Sequence, residues 1–499
     1  MLFSSVTFLF FFLPLALGLY AISGRGRRNT VFLFASLVFY GWGEGKAIAI
    51  LLLSIGVNYG LGRILERRGP GGSSRARGIP GGAPAEISPT DRTRKAVLVA
   101  GLVFNLGLLA YYKYSGFFMS SVSGLFTWHG AASFNLSQGS VPTGISFFTF
   151  AAISYLVDLY SGKAEAERSP ARFATFMASF PKILAGPIVP YHMGKEELER
   201  RPLDLDRCAS GIERFILGMG KKVLIASPIS AVADQVFALP AGTLSAELAW
   251  LGILCYTLQI YFDFSGYTDM AIGLGRMFGF NLPENFNFPY AARSIRDFWR
   301  RWHMSLSQWL RDYLYIPLGG NRCTPARHYL NLVFVFFLCG LWHGANWTFV
   351  VWGLWYGIFL IVERTGLGRA LQKAPRPFQH GYAILVVMLG WVFFRSESLS
   401  QAMGYFKALS GLGPGEPSPV SVQTLIDAEA LLAIGLGAVF SVPVFDSIKK
   451  RFAQMLLPRS TAYERAVSIG YGLVLGSVFL LACMALAGGT LKSFIYFRF

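Results

Sequence analysis

The sequence predicts an all-α, polytopic integral membrane protein. Three observations lead there. Of 499 residues, 53% are hydrophobic, and mean hydropathy is +0.46. Only 14% are charged, whereas soluble domains carry about 25%. Apolar runs approaching the length that spans a bilayer recur along the whole chain. A net charge of +18 would suggest nucleic-acid binding in a soluble protein. Here Lys and Arg gather in short segments between apolar runs, the pattern of cytoplasmic loops, so nucleic acid is not an expected partner.

Candidate runs lie near 2–22, 30–43, 46–62, 96–114, 142–160, 211–238, 245–263, 266–280, 330–346, 348–362, 381–395, 428–447 and 466–487. Gly and Pro interrupt several of them, so broken or re-entrant segments are expected beside full crossings. The opening "MLFSSVTFLFFFLPLALGLYAIS" has no positive charge ahead of its apolar run and reads as a retained membrane helix rather than a cleaved signal. Arg25, Arg27 and Arg28, then the basic residues between Arg63 and Lys95, read as cytoplasmic. That places the N-terminus outside and makes 30–43 and 46–62 a hairpin of spans. The Ser/Gly-rich stretch 115–141 becomes an outer loop, as does 412–427. Basic residues at 364–376 and 449–465 return to the cytoplasm, which puts the C-terminus outside as well. The Gly/Pro/Ser-rich segment 67–95 reads as a flexible cytoplasmic linker, first a positive-inside signal and solubilising loop, with contact to anionic lipid headgroups as the alternative. Nothing marks a second folding unit, so residues 1–499 are expected to form one transmembrane domain. The five cysteines are scattered, form no CxxC pair and suggest no disulfide framework.

Residues 256–320 are chemically dense. Asp263 and Asp269 lie in or beside apolar runs, where a carboxylate must pair, protonate or face a wet cavity. Two readings stand: they shape an internal polar path, or they make structural hydrogen bonds at helix breaks around Gly266 and Tyr267. Asp158 raises the same question. "SIRDFWRRWHMSLSQWLRDYLY" reads as an amphipathic helix along the cytoplasmic boundary. Its spacing permits an Asp297–Arg301 ion pair and a Trp299–His303 contact. Trp299, Trp302, Trp309, Tyr313 and Tyr315 suit a membrane interface. Arg296, Arg300 and Arg301 suit lipid phosphate or an anionic acyl donor such as coenzyme A.

His303 and His343 stand forty residues apart with no HExxH pattern and no carboxylate or cysteine cluster, so neither is expected to hold a metal. In "CGLWHGANWTF" Trp342 and Trp347 suit the walls of a narrow space around His343. Gly340 and Gly344 leave room for a substrate or a close helix, and Asn346 suits orientation of a reacting group. A histidine in a low-water cavity can take the proton from a hydroxyl as that oxygen attacks an acyl group. The residues alone leave the reaction unnamed.

Five stretches, "PTGISFFTF", "QIYFDFSGYTDMAIGLG", "NFNFPY", "SIRDFWRRWHMSLSQWLRDYLYIPLGGNR" and "GLWHGANWTFVVWG", resemble the membrane-bound O-acyltransferase family, as do both chain ends. The resemblance is to its bacterial branch serving alginate O-acetylation. It implies a helical bundle around a central tunnel that moves an acyl group from a cytoplasmic donor towards an outer acceptor. His343 falls on the family's principal histidine, and His303 on an upstream one expected to assist at the donor approach. Asp263, Tyr267, Asp269, Trp299, Arg301, Trp302, Trp342 and Asn346 become supporting or tunnel residues, with Arg296 and Arg300 as donor-binding candidates. The implied donor is acetyl-coenzyme A, with no permanently bound cofactor. The implied partners are periplasmic or membrane-anchored SGNH-type acetyltransferases acting on an exopolysaccharide, in the bacterial inner membrane. Two alternatives remain: D-alanyl transfer from a carrier protein towards teichoic acid, and a non-enzymatic transporter or export scaffold.

Overall fold

Long apolar runs with few helix breakers close their own backbone hydrogen bonds, as a bilayer demands. In a computed structural model, which describes residues 1–24, 26–67, 92–127, 141–199, 201, 204–413, 418–444 and 461–489, they form helices and no strand. Seven of these helices are long and apolar enough to cross a membrane among the described residues. The protein is a multi-pass membrane protein. The linker, apart from its two ends, lies outside the described residues, as do the basic stretch 449–459 and the last ten residues.

Two compact units divide the chain. The first holds Met1–Leu2, Thr7–Cys208 and Met277–Leu282. Its helices are α1 (Leu13–Ile22), α2 (Arg28–Glu44), α3 (Ile48–Arg67), α4 (Arg92–Leu109), α5 (Ser115–Thr127), α6 (Ile145–Tyr160), α7 (Pro170–Ala178), α8 (Phe180–Ile183) and α9 (Tyr191–Glu199). Helix α5 occupies the first half of the stretch expected to be an outer loop, and α4 begins inside the expected linker. Between α3 and α4, Asn58 and Asn105 exchange amide hydrogen bonds of 3.0 and 2.7 Å, a polar clasp for two otherwise apolar helices. Asp158 is structural: its Oδ2 accepts from the backbone N–H and ring Nδ1 of His192, at 3.0 and 2.9 Å, at the start of α9.

The second unit holds Phe3–Val6, Ala209–Arg276 and Pro283–Phe499. Its helices are α10 (Leu205–Gly220), α11 (Ser227–Phe237), α12 (Ala246–Met277), α13 (Ile295–Trp299), α14 (Met304–Leu310), α15 (Pro325–His343) and α16 (Trp347–Val362). They continue through α17 (Gly368–Lys373), α18 (Arg376–Arg395), α19 (Leu399–Leu409), α20 (Val422–Leu425), α21 (Ala428–Phe440) and α22 (Thr461–Ala487). Runs 245–263 and 266–280 are one continuous helix, so Asp263 and Asp269 sit at no break. Gly266 serves proximity instead. A Cβ there would lie 2.6 Å from the Gly218 carbonyl oxygen, and one at Gly273 would lie 2.5 Å from that of Gly211. Small residues let α10 and α12 touch backbone to backbone.

That contact predicts a stability loss. Gly266→Ala should destabilise by about 1–3 kcal/mol through overpacking. Gly476→Ala, on α22 where an added Cβ meets nothing within 4 Å, is the control. Thermal unfolding in detergent checks the pair: equal midpoints for the two variants would mean that the α10–α12 contact is loose.

Candidate active site

The segment from Asn285 to Leu310 departs most from its expected form. The single amphipathic helix is broken: α13 ends at Trp299, and His303 takes a left-handed backbone (φ 43°, ψ 54°) before α14 begins. For a residue with a side chain that conformation costs about 1–3 kcal/mol and needs support from outside. The "ENFNFP" segment supplies it. Asn287 N–H donates to Arg301 O and Met304 N–H to Asn285 O, both at 2.9 Å. The break also turns Trp302 inward. Trp302 is fully buried, 4.9 Å ring to ring from Trp391 and 5.0 Å from Phe286, rather than lying at an interface. Trp309 is buried too. The Asp297–Arg301 pair forms at 2.9 Å, while Trp299 packs on Phe336, Trp352 and Tyr356.

Helix α13 is anchored at its start. Ser294 Oγ accepts from Asp297 N–H at 3.1 Å, and the Glu363 carboxylate accepts the N–H groups of Ile295 and Arg296 at 2.5 and 3.1 Å. These bonds satisfy donors that a helix start leaves open.

The break brings the two histidines together. Their rings lie 6.4 Å apart, His303 fully buried and His343 only 3% exposed. Phe264 and Trp342 flank His303 at 4.8 and 6.0 Å. Trp342, Trp352 and Phe394 surround His343 at 4.9, 4.9 and 5.4 Å. Phe264 and Trp352 lie in stretches that resemble the family without being singled out there, and Phe394 lies in none; they reach the site from α12, α16 and α18. Burial lowers the His303 pKa to about 3, so its ring is neutral.

Several expected residues have other work. Asn346 caps α16, accepting from Thr348 N–H at 3.0 Å and donating to Glu397 O at 2.9 Å, so both ends of its amide are engaged by backbone. Trp347 is 52% exposed and forms no wall. A Cβ at Gly340 would lie 2.3 Å from Phe349 O, and one at Gly344 2.2 Å from the Phe349 ring, so these glycines admit a helix, not a substrate. Asp263 pairs with Lys222, and Asp269 with Arg214 and Lys221, both at 2.6 Å. Tyr267 stacks on Phe3 at 4.8 Å. The pairing favours the structural reading of the two aspartates.

A cavity of about 240 Å³ is lined by residues of α13, α14 and α15, with neither histidine on its lining. Exposed Arg296, Arg300 and Arg311 stand on its lining, with Trp299, Leu310, Leu332, Val335 and Phe336. Its buried lining residues include Leu306, three positions after His303, and Cys339, one helical turn before His343. The arrangement offers cations outside, an apolar passage, and two imidazoles beside its inner lining.

The membrane-bound O-acyltransferase family model matches residues 162–399. The probable alginate O-acetylase AlgI of Azotobacter vinelandii is 39% identical over 520 residues, covering 100% of both chains. That of Pseudomonas aeruginosa is 42% identical over 458 residues, 89% of this chain and 83% of the relative. The peptidoglycan O-acetyltransferase of Helicobacter pylori is 35% identical over 452 residues, 83% and 80% of the two chains.

Proposed function

The chain belongs to the membrane-bound O-acyltransferase family, and on that premise we propose that it transfers acetyl groups from cytoplasmic acetyl-coenzyme A towards an extracytoplasmic polysaccharide such as alginate. The observation that carries the reading is the meeting of His303 and His343, 6.4 Å apart, beside the buried lining of an arginine-rimmed apolar cavity. Arg296 and Arg300 attract the donor's phosphates, and the apolar lining takes its thin pantetheine arm. His343 ends α15, where the helix dipole favours positive charge, so it gains stabilisation as it takes the proton of the attacking hydroxyl. The carbonyl carbon–sulfur bond breaks, the ester bond forms, and the thiol leaves with a proton.

In this reading the protein sits in the bacterial inner membrane with both termini outside, and periplasmic or membrane-anchored SGNH-type partners complete the transfer. No permanently bound cofactor takes part. Names of full-length relatives favour acetyl over D-alanyl transfer.

Purified protein in proteoliposomes, given labelled acetyl-coenzyme A or a D-alanyl carrier protein together with acceptor, tests the reading by mass identification of the product. Acylation only from the carrier would overturn it. The double variant Arg296→Ala/Arg300→Ala should raise the KM for acetyl-coenzyme A about tenfold, from two lost charge-assisted contacts, with little change in kcat. An unchanged KM would leave these arginines as lipid anchors.

A further inference from the structure

Asn285 lies in a segment that the histidine motifs do not include, yet it determines the state of one histidine. Its Oδ1 accepts from Ser305 N–H at 3.2 Å and from Ser305 Oγ at 2.9 Å, and lies 3.1 Å from His303 Nδ1. A backbone N–H only donates, so the Ser305 bond fixes which end of the amide is oxygen. An amide oxygen only accepts, so the proton in the third contact belongs to His303 Nδ1. A neutral ring protonated at Nδ1 carries its lone pair on Nε2. That Nε2 is buried and has no hydrogen-bond partner among the described residues.

We propose that Asn285 is a positioning residue that holds His303 in the Nδ1–H tautomer and so dedicates Nε2 to accepting a hydrogen bond from the acceptor, given by a hydroxyl neighbouring the one whose proton His343 takes. The proposal rests on the acyl-transfer reading and deepens it. His303 then orients the acceptor beside His343 instead of serving the donor approach. Among the described residues, Phe264 of α12, Trp342 and His343 of α15, and Asn285 pack on the His303 ring, and His343 is the ionisable group of this set.

Nitrogen-15 spectra of histidine-labelled protein, compared with His303→Gln, read the tautomer without any turnover. The expected result is an Nδ1-protonated, neutral ring for His303; an Nε2-protonated ring overturns the proposal whatever the enzyme transfers. Kinetics give the second arm. Asn285→Leu should lower kcat about 10–100-fold, the usual scale for losing a residue that orients a working histidine, and leave donor KM unchanged. Asn285→Asp should restore most of the activity, because it keeps the acceptor and Asn285 Nδ2 makes no bond to lose. Its carboxylate stabilises the imidazolium, so the acidic limb of the rate–pH profile should move to higher pH. Combining Asn285→Leu with His303→Ala should cost no more than His303→Ala alone. Additive losses, or an Asp variant with an unshifted profile, would reduce Asn285 to a fold residue. Absence of acetyl transfer by the wild type would sink the underlying reading and leave the spectroscopic result standing.

Discussion

His343→Ala should lower kcat for acyl transfer by about 10²–10⁴, the range a positioned general base contributes, while the purified variant keeps its detergent-solubilised elution profile. The loss follows from placement. His343 closes α15 inside a wall of Trp342, Trp352 and Phe394, with His303 as the other imidazole in ring contact. His343→Gln is the informative companion, since it retains a hydrogen-bonding side chain of similar reach but takes up no proton at neutral pH. A base predicts that both variants fail; an orienting donor predicts that Gln retains much of the rate. Transfer by the Ala variant at the wild-type rate would remove His343 from the chemistry.

The second large effect concerns the core of the same unit. Lys222 and Asp263 form an ion pair with side chains 3% and 9% exposed. Removing one partner strands a charge away from water, and Lys222→Met should cost about 3–5 kcal/mol of stability. Exchanging both, Lys222→Met with Asp263→Leu, should recover most of that loss, because replacing a buried pair by apolar residues of similar volume is often neutral. Unfolding midpoints in one detergent measure the recovery. Activity adds a discriminating readout: a double variant that is folded but inactive would return Asp263 to the polar path through the protein, and a folded, active one keeps it structural.

Much of this architecture is legible without coordinates because membrane solvation is a coarse and strict filter. A run near 20 apolar residues has few options but to form a helix, so the edges of α2, α16 and α18 fall near the expected positions. His343 stands out for a related reason: an ionisable side chain in an apolar segment is costly to keep. What escaped was decided by partners distant in sequence. A Gly next to two aspartates looks like a break, but Gly266 is set by the carbonyl of Gly218 on another helix. Trp302 follows the habit of interfacial tryptophans until a turn carries it onto Trp391. Asn285 and Asn287 read as turn residues, which they are. Their further role depends on Arg301, His303, Met304 and Ser305, and helical periodicity carries no information across a turn. The usable hint was the pair of asparagines itself, whose amides readily bond backbone that is neither helix nor sheet.

The charges shared by α10, its continuation and α12 bear on how the chain enters the membrane during synthesis. Arg214, Lys221 and Lys222 are joined by ion pairs to Asp263, Asp269 and Glu284, and Arg276 at the end of α12 also pairs with Glu284. Each ionised residue near the middle of a lone helix opposes insertion by about 2.5–3.5 kcal/mol. The cations of α10 and of the residues after it emerge from the ribosome first, and their counter-charges follow 41 to 70 residues later. The first helix of this set therefore has no complete electrostatic partner until the second is made, and the two reach a stable position in the bilayer as a paired unit rather than one at a time.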